Sequence, residues 1–428
     1  MSGIRGGDPA SPLPPDGSVA VVGASLAGLR AAEALRSAGH RGRLQLVGDE
    51  LHMPYDRPPL SKQVLAGKWP PERAMLADRG KLDELRIELV LGHKATSLDV
   101  GARRISLDDG STIEADRVLV ATGARPRRLP GTDRQVGVIV LRTIDDAAAL
   151  RQQVLAVGEG CRMVVVGAGF IGSEVASTCA ELGCQVTVLE ALPTPLAPVL
   201  GVLIGGACAR LHSEHGVDLR TNTAVRAVHP PGGEENGGEP SGAAGRVELS
   251  DGSSLPADVV VVGIGVIPNV DWLEESGLTL DNGLVCDASL FAADGVAAAG
   301  DLARWDFHRD AASEMVRIEH WQIAAEMGAA AARSLLAGRA DAARFETVPY
   351  FWSDQYGVRI QVIGRPEPTD DIEVVDGSLV DGRFVALYGR AGRLAAALAI
   401  SRPRQLMAYR PLLAAGASLS EALALARS

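Results

Sequence analysis

Apolar residues gather in short unbroken runs, each followed by a glycine-rich turn and then by a segment of helical apolar spacing. The run Val19–Val22 predicts a buried strand, the text to about Ser37 a helix, and Arg43–Val47 the next strand. The same order returns later, with a strand over Met163–Val166, a helix from about Gly172 to Leu182 and a strand over Gln185–Leu189. The two strand–helix–strand starts lie 144 residues apart, which is a domain-scale duplication and not a short repeat.

Both copies continue alike. Asp109–Gly110 predicts a turn between Ile105–Leu107 and a strand Arg117–Val120. Asp251–Gly252 predicts one between Val247–Leu249 and Val259–Val262. Pro230–Gly245 has almost no apolar side chains and predicts a flexible hairpin tip. A helix is expected over about Glu319–Leu336. From about Phe345 the pattern changes: strands at Tyr350–Trp352, Ile360–Val362, Phe384–Tyr388 and Leu394–Ile400, then a final helix over Pro411–Ala426, mark a third, smaller domain.

The length of 428 residues calls for two or three domains, and 46% hydrophobic with 22% charged residues is a soluble globular composition. The longest near-apolar run, Val259–Pro268, is half of the roughly 20 residues a membrane span needs. Residues 1–17 are rich in Pro and Gly and read as a disordered lead-in, not a signal peptide. A net charge of −11 argues against nucleic acid as a partner. The cysteines Cys161, Cys179, Cys184, Cys208 and Cys286 form no CxxC pair and no zinc spacing. No metal is expected; buried free thiols in a cytoplasmic protein are.

The two turns carry the chemistry. The first holds Gly23, Ser25 and Gly28 around Leu26 and Ala27; the second holds Gly167, Gly169 and Gly172 around Phe170 and Ile171. Glycines between strand and helix let the backbone approach a pyrophosphate, and the helix N-terminus offers N–H groups and a favourable dipole. Two such turns predict two bound dinucleotides. Glu190, 18 residues after Gly172, suits the adenosine ribose hydroxyls and disfavours a 2′-phosphate, hence NADH; a solvated strand-end acid is the plain alternative. In the first copy Ser25 replaces the middle glycine, and the ribose acid is Asp49 or Glu50, with Asp49 the better placed. Gly300–Asp301 sets a carboxylate after a glycine turn, for a ribityl chain or for a helix cap.

Jointly VVGASLAGLRAAEAL, YDRPPLSK, ATGARPRRLPG, VVVGAGFIGSEVA, GIGVIPN, GDLARW, EHWQIAAEMG and YFWSDQYGVRIQVIG resemble the FAD-dependent, NADH-oxidising ferredoxin reductases of oxygenase systems. That group holds putidaredoxin, rubredoxin and biphenyl dioxygenase reductases, among the glutathione-reductase-like two-dinucleotide flavoproteins. The resemblance covers about residues 18–414. It implies an α/β fold with two Rossmann-like domains and a C-terminal α/β domain: FAD-binding 18–125 and 270–338, NAD-binding 126–269, C-terminal 339–428.

The resemblance also implies roles. FAD would meet the first turn, Asp49, Arg57, Pro58, Lys62, Ala121, Thr122, Gly123, Gly300, Asp301, Glu319, His320, Trp321 and Trp352. NADH would meet the second turn, Glu174, Glu190, Gly263, Ile264 and Gly265. Lys62 would stand beside the flavin ring, paired with Glu174, so that a fixed cation stabilises negative charge on the reduced ring. Disulfide reductases of this fold carry a CxxxxC pair near the flavin, where this chain reads YDRPPLSK. Cys179 and Cys184 have that spacing but close the second fingerprint helix, so the electrons must leave the chain. A [2Fe–2S] ferredoxin serving a haem-thiolate monooxygenase or a Rieske oxygenase would take them, docking on a basic rim drawn from Arg304, Arg309, Arg390, Arg393, Arg402 and Arg404. The alternatives are an NADH oxidase or peroxidase, and a redox sensor resembling apoptosis-inducing factor. A monomer or homodimer is expected.

Overall fold

A computed structural model describes residues 8, 10–133, 135–230, 244–309 and 312–427. The chain forms two compact units: Met1–Asp56, Met75–Arg125 and Ile267–Thr347 in the first, Arg57–Ala74, Pro126–Val266 and Val348–Ser428 in the second. The C-terminal segment and residues 57–74 therefore fall in the same unit as the second fingerprint.

The first unit is built on a six-stranded sheet ordered Phe291–Ala293, Val296–Ala298, Arg117–Val120, Val19–Val22, Leu44–Gly48, Glu88–Leu91. All neighbours are parallel except the edge pair Phe291–Ala293 with Val296–Ala298. Every residue of Val19–Val22 is buried, as expected of a strand covered on both faces. The helix Leu26–Ser37 packs closely on the helix Trp321–Ala337; a Cβ on Gly328 would lie 2.2 Å from the Ala27 carbonyl oxygen. The lead-in is ordered in part. Leu13 is buried and its N–H donates to the Leu336 carbonyl, and Arg117 donates to the Ser11 carbonyl. Disorder over all of 1–17 is thus corrected: the apolar Leu13 ties the segment down.

In the second unit a parallel sheet runs Asp218–Arg220, Gln185–Leu189, Arg162–Val166, Val259–Val262, Val138–Val140. The helix after the glycine turn is Phe170–Glu181, two residues earlier than its pattern suggested. The C-terminal segment forms an antiparallel sheet ordered Tyr350–Gln355, Val358–Gly364, Arg393–Ile400, Arg383–Arg390, Asp371–Ser378.

The two Asp–Gly hairpins and the final helix are corrected, and one strand was missed. The Asp109–Gly110 and Asp251–Gly252 turns lead into short strands, Thr112–Glu114 and Ser254–Ala257, while Arg117–Val120 and Val259–Val262 belong to the parallel sheets. The alternation of those short strands is too brief to stand out beside the apolar runs that follow. The strand Asp371–Ser378 is polar and half-exposed at a sheet edge, which hid it. The final helix is two, Arg410–Ala414 and Leu419–Ala426, because Gly416 takes a left-handed φ of 64° and Ser418 opens the second with a Glu421 capping box. Most of the Pro230–Gly245 loop, residues 231–243, lies outside the described residues.

Candidate nucleotide and flavin sites

The first glycine turn is shaped by its own backbone. Gly23 has φ 123°, and a Cβ there would meet the Ala121 carbonyl oxygen at 2.0 Å; one on Gly28 would meet the Gly23 carbonyl oxygen at 1.9 Å. Leu26 and Ala27 are buried in the opening turn of the helix, and no side chain caps its N-terminus at Ser25. The free amides of that end are donors for an anion. Two more chain turns leave the same sheet beside it. Ala121–Gly123 follows Arg117–Val120, with Thr122 and Gly123 bound to Asn269. Gly300 follows Val296–Ala298 at φ 83°, and a Cβ on it would lie 3.1 Å from that of Ala27. The turns after three adjacent strands of a parallel sheet thus lie side by side, the usual place for a ligand in this architecture.

Directly after Gly300, Asp301 is half-buried and its carbonyl accepts from Arg317, which also binds Glu319 at 2.5 Å. Glu319 is exposed. His320 occupies the N-cap position of the helix beginning at Trp321, and burial pushes its imidazole down to about 4. The Trp321 indole N–H donates to Asp56 at 2.5 Å. Asp49 is exposed, whereas Glu50 accepts from the Tyr55 hydroxyl. Strand register puts Val47 level with Val22 and Leu189 level with Val166, so Gly48 takes the place that Glu190 has in the second copy. The acid of the first copy therefore stands at least one residue beyond the strand end.

The second turn repeats the geometry. Cβ atoms on Gly167 and Gly172 would meet carbonyl oxygens of Gly263 and Gly167 at 2.4 and 2.0 Å, but one on Gly169 would find nothing nearer than the Gly263 oxygen at 3.9 Å. The outer glycines are demanded by the chain itself. The middle position is open: the fold itself makes no demand for Gly169, and Ser25 in the first copy, at φ −122°, costs the fold nothing. The Glu190 carboxylate accepts from the N–H groups of Ala168 at 2.7 Å and Leu192 at 2.9 Å, tying it to the turn instead of leaving it merely solvated. Ile171 and Ile264 are exposed, and Gly265 (φ 98°) accepts from the Arg127 N–H. Phe170 packs edge-on to Phe351 at 4.7 Å, so its ring is engaged by the C-terminal sheet.

The second unit also holds a buried ionic cluster. Residues Leu60–Val64 form a single π-helical turn that presents Ser61 and Lys62 to Glu174. Lys62 Nζ lies 2.6 Å and Ser61 Oγ 2.5 Å from Glu174 Oε2, and Ser353 Oγ donates to Oε1 at 2.7 Å. Thr178 Oγ1 anchors the turn through the Ser61 carbonyl, and Gln355 donates to Ser353 Oγ at 3.1 Å. Ser61, Ser353 and Gln355 escaped the sequence reading, although Ser61 adjoins Lys62 and the other two lie in the WSDQ text. Arg57 donates to the Arg142 carbonyl, with the half-buried Pro58 beside it, and Trp352 stacks near Tyr350 at 5.9 Å.

Cys161 and Cys179 are buried, Cys184 is half-buried, and all five cysteines are free. Of the expected basic rim, Arg304 is spent on Asp281, and Arg390 on Glu367 at 2.6 Å and Asp370 at 2.7 Å. Arg393 donates to the Gly416 carbonyl, Arg402 lies 4.0 Å from Asp376 and Arg404 is exposed; the Arg309 side chain is outside the described residues.

These turns and their fold define a pyridine-nucleotide oxidoreductase. The chain belongs to the pyridine nucleotide-disulphide oxidoreductase family, which it matches over residues 17–328, and a reductase C-terminal domain matches 350–427. It is 38% identical over 400 residues to the ferredoxin–NAD(+) reductase component of the anthranilate 1,2-dioxygenase system of Burkholderia cepacia, covering 93% of this chain and 94% of that one. With putidaredoxin reductase of Pseudomonas putida it shares 37% over 391 residues, 90% and 89% of the two chains. Among solved structures, the covalent putidaredoxin reductase–putidaredoxin complex matches at a TM-score of 0.86 and 33% identity, covering 94% of this chain and 93% of that one.

Proposed function

We propose that this protein is the FAD-dependent reductase of an oxygenase system: it oxidises NADH and passes electrons singly to a [2Fe–2S] ferredoxin that serves a haem-thiolate monooxygenase or a Rieske-type oxygenase. The observation that carries the reading is the near full-length match to reductase components of such systems, C-terminal domain included. The residues present fit both dinucleotides, because each glycine turn is a cradle that a Cβ would fill in front of an uncapped helix N-terminus. When bound, FAD supplies a centre that accepts two electrons from NADH and releases them one at a time.

The chain's own contribution is binding and electrostatics. The amides after Gly23 and after Gly167 hold the pyrophosphates of FAD and NADH. Glu190, fixed by two backbone N–H groups, takes the adenosine ribose hydroxyls of NADH and repels a 2′-phosphate. In the first unit Asp301 and Trp321 are the residues offered for FAD, with Asp49 or Glu50 for its ribose. Lys62 is the fixed cation, and Glu174 holds its ammonium. Cysteine is absent from residues 1–160, which supports an acceptor outside the chain.

Among the described residues no helix is long and apolar enough to cross a membrane. We place the protein in the cytoplasm, where its free cysteines stay reduced. NADH-driven cytochrome c reduction with and without a [2Fe–2S] ferredoxin tests the function: a ferredoxin-dependent rate supports it, and rapid oxygen consumption that ignores ferredoxin favours an oxidase.

A further inference from the structure

We propose that Ser353, backed by Gln355, is a positioning residue for Lys62 that acts through Glu174. The inference rests on the reading of Lys62 and Glu174 as the pair that serves the flavin. Glu174 is 3% exposed, and a buried carboxylate must fill its lone pairs from the protein. Two of its donors, Ser61 and Lys62, crowd onto Oε2 from one side. Oε1 is reached by Ser353 Oγ, which is fully buried on the first strand of the C-terminal sheet.

Without that third donor the carboxylate is held at one oxygen and is free to turn about its last torsion, taking the ammonium with it. The Ser353 hydroxyl has one proton, and its direction decides whether Oε1 is served. Gln355 Nε2 donates to Ser353 Oγ and so leaves the hydroxyl proton to Glu174. Gln355 is 1% exposed and its Oε1 is buried without a partner, so the bond from Nε2 to Ser353 is the one that sets this amide. Hydroxyl, carboxylate and ammonium thus form one line from the C-terminal sheet through the fingerprint helix to the π-turn, all within the second unit.

The test uses the FAD-loaded, full-length protein and the variants Ser353→Ala, Ser353→Thr, Glu174→Gln, Lys62→Met and Ser353→Ala/Glu174→Gln. Two quantities are read: the rate of flavin reduction by NADH in stopped flow, and the flavin midpoint potential. Ser353→Ala is expected to slow reduction about tenfold and to lower the potential, as loss of a fixed donor to a working charge does. Ser353→Thr, which keeps the hydroxyl, restores both. In the Glu174→Gln background the Ser353→Ala change is expected to add nothing.

Wild-type rate and potential in Ser353→Ala, with Lys62→Met impaired, overturn the positioning role and leave the Lys62 reading intact. Equal losses from Ser353→Ala in both backgrounds overturn it as well. If Lys62→Met and Glu174→Gln are themselves without effect, the reading on which the inference rests has failed.

Discussion

The Lys62 ammonium lies 2.6 Å from a Glu174 carboxylate whose side chain is 4% exposed. At that depth the pair is a preorganised charge and not a surface ornament, since removing Lys62 would leave a buried carboxylate without its counter-ion. Lys62→Met is expected to slow flavin reduction by NADH about 100-fold, the low end of what one preorganised electrostatic group contributes. Stopped-flow flavin bleaching measures it; an unchanged rate would remove Lys62 from the mechanism.

The glycines of the second turn separate into two kinds. Gly172→Ala drives a Cβ to 2.0 Å from the Gly167 carbonyl oxygen and is expected to cost ~1–3 kcal/mol of stability. Gly169→Ala meets nothing closer than 3.9 Å and is expected to keep the melting temperature while raising KM for NADH. Thermal unfolding beside steady-state kinetics distinguishes them, and equal destabilisation by the two changes would contradict the assignment.

Glu190→Ala removes an acceptor from the Ala168 and Leu192 N–H groups and the negative charge beside the turn. The expected outcome is a preference for NADH over NADPH reduced about tenfold or more, for ~1.4 kcal/mol or more of lost discrimination. The ratio of kcat/KM for the two nucleotides measures it.

Much of this was legible in the sequence. The unbroken apolar runs gave the parallel strands because strands covered on both faces need no alternation. Lys62 and Glu174 came from motif text, and the structure joins them. What was hidden shares a physical cause. Ser353 and Gln355 look like alternating polar residues of a strand, and only the fold reveals that their polar ends face a buried carboxylate. The first-copy acid stayed ambiguous because Gly48, level with Glu190, carries no side chain. Leu13 is one apolar residue in a Pro/Gly-rich stretch, too little pattern to announce docking. Arg390 looked available for a partner because its acids, Glu367 and Asp370, lie some twenty residues away in sequence.

His212 is fully buried; its Nδ1 is 2.7 Å from the Tyr356 hydroxyl, and His215 stacks on the same tyrosine. Burial, then the neighbouring His215, hold its imidazole down to about 4. The unfolded chain therefore takes up a proton near pH 6.5 that the folded chain refuses until about 4. The contribution is complete above pH 6.5 and is lost as pH falls toward 4, worth ~3 kcal/mol at most. Denaturant midpoints across that window should fall less steeply in His212→Gln than in the parent. Identical slopes would contradict this.

Burial pushes the Cys208 thiol up to about 12; for the half-buried Cys184 a hydrogen bond with Cys161 pulls downward, but the hydrogen bond with Cys179 and burial outweigh it and raise the thiol to about 12. Thiolate is scarce at neutral pH, so a disulfide reagent should react slowly and with Cys184 first. Counting thiols in native and denatured protein checks this; more than one rapid native thiol would contradict it.

The central claim is a route from NADH through the chain to an external one-electron carrier. Its most direct test is anaerobic: the FAD-loaded protein is reduced with NADH, mixed with oxidised [2Fe–2S] ferredoxin, and the visible bleaching of the cluster is followed. The account predicts two ferredoxins reduced per NADH consumed, with the rate falling when Lys62 is replaced. A ferredoxin that stays oxidised beside fully reduced flavin, across candidate ferredoxins, would contradict it.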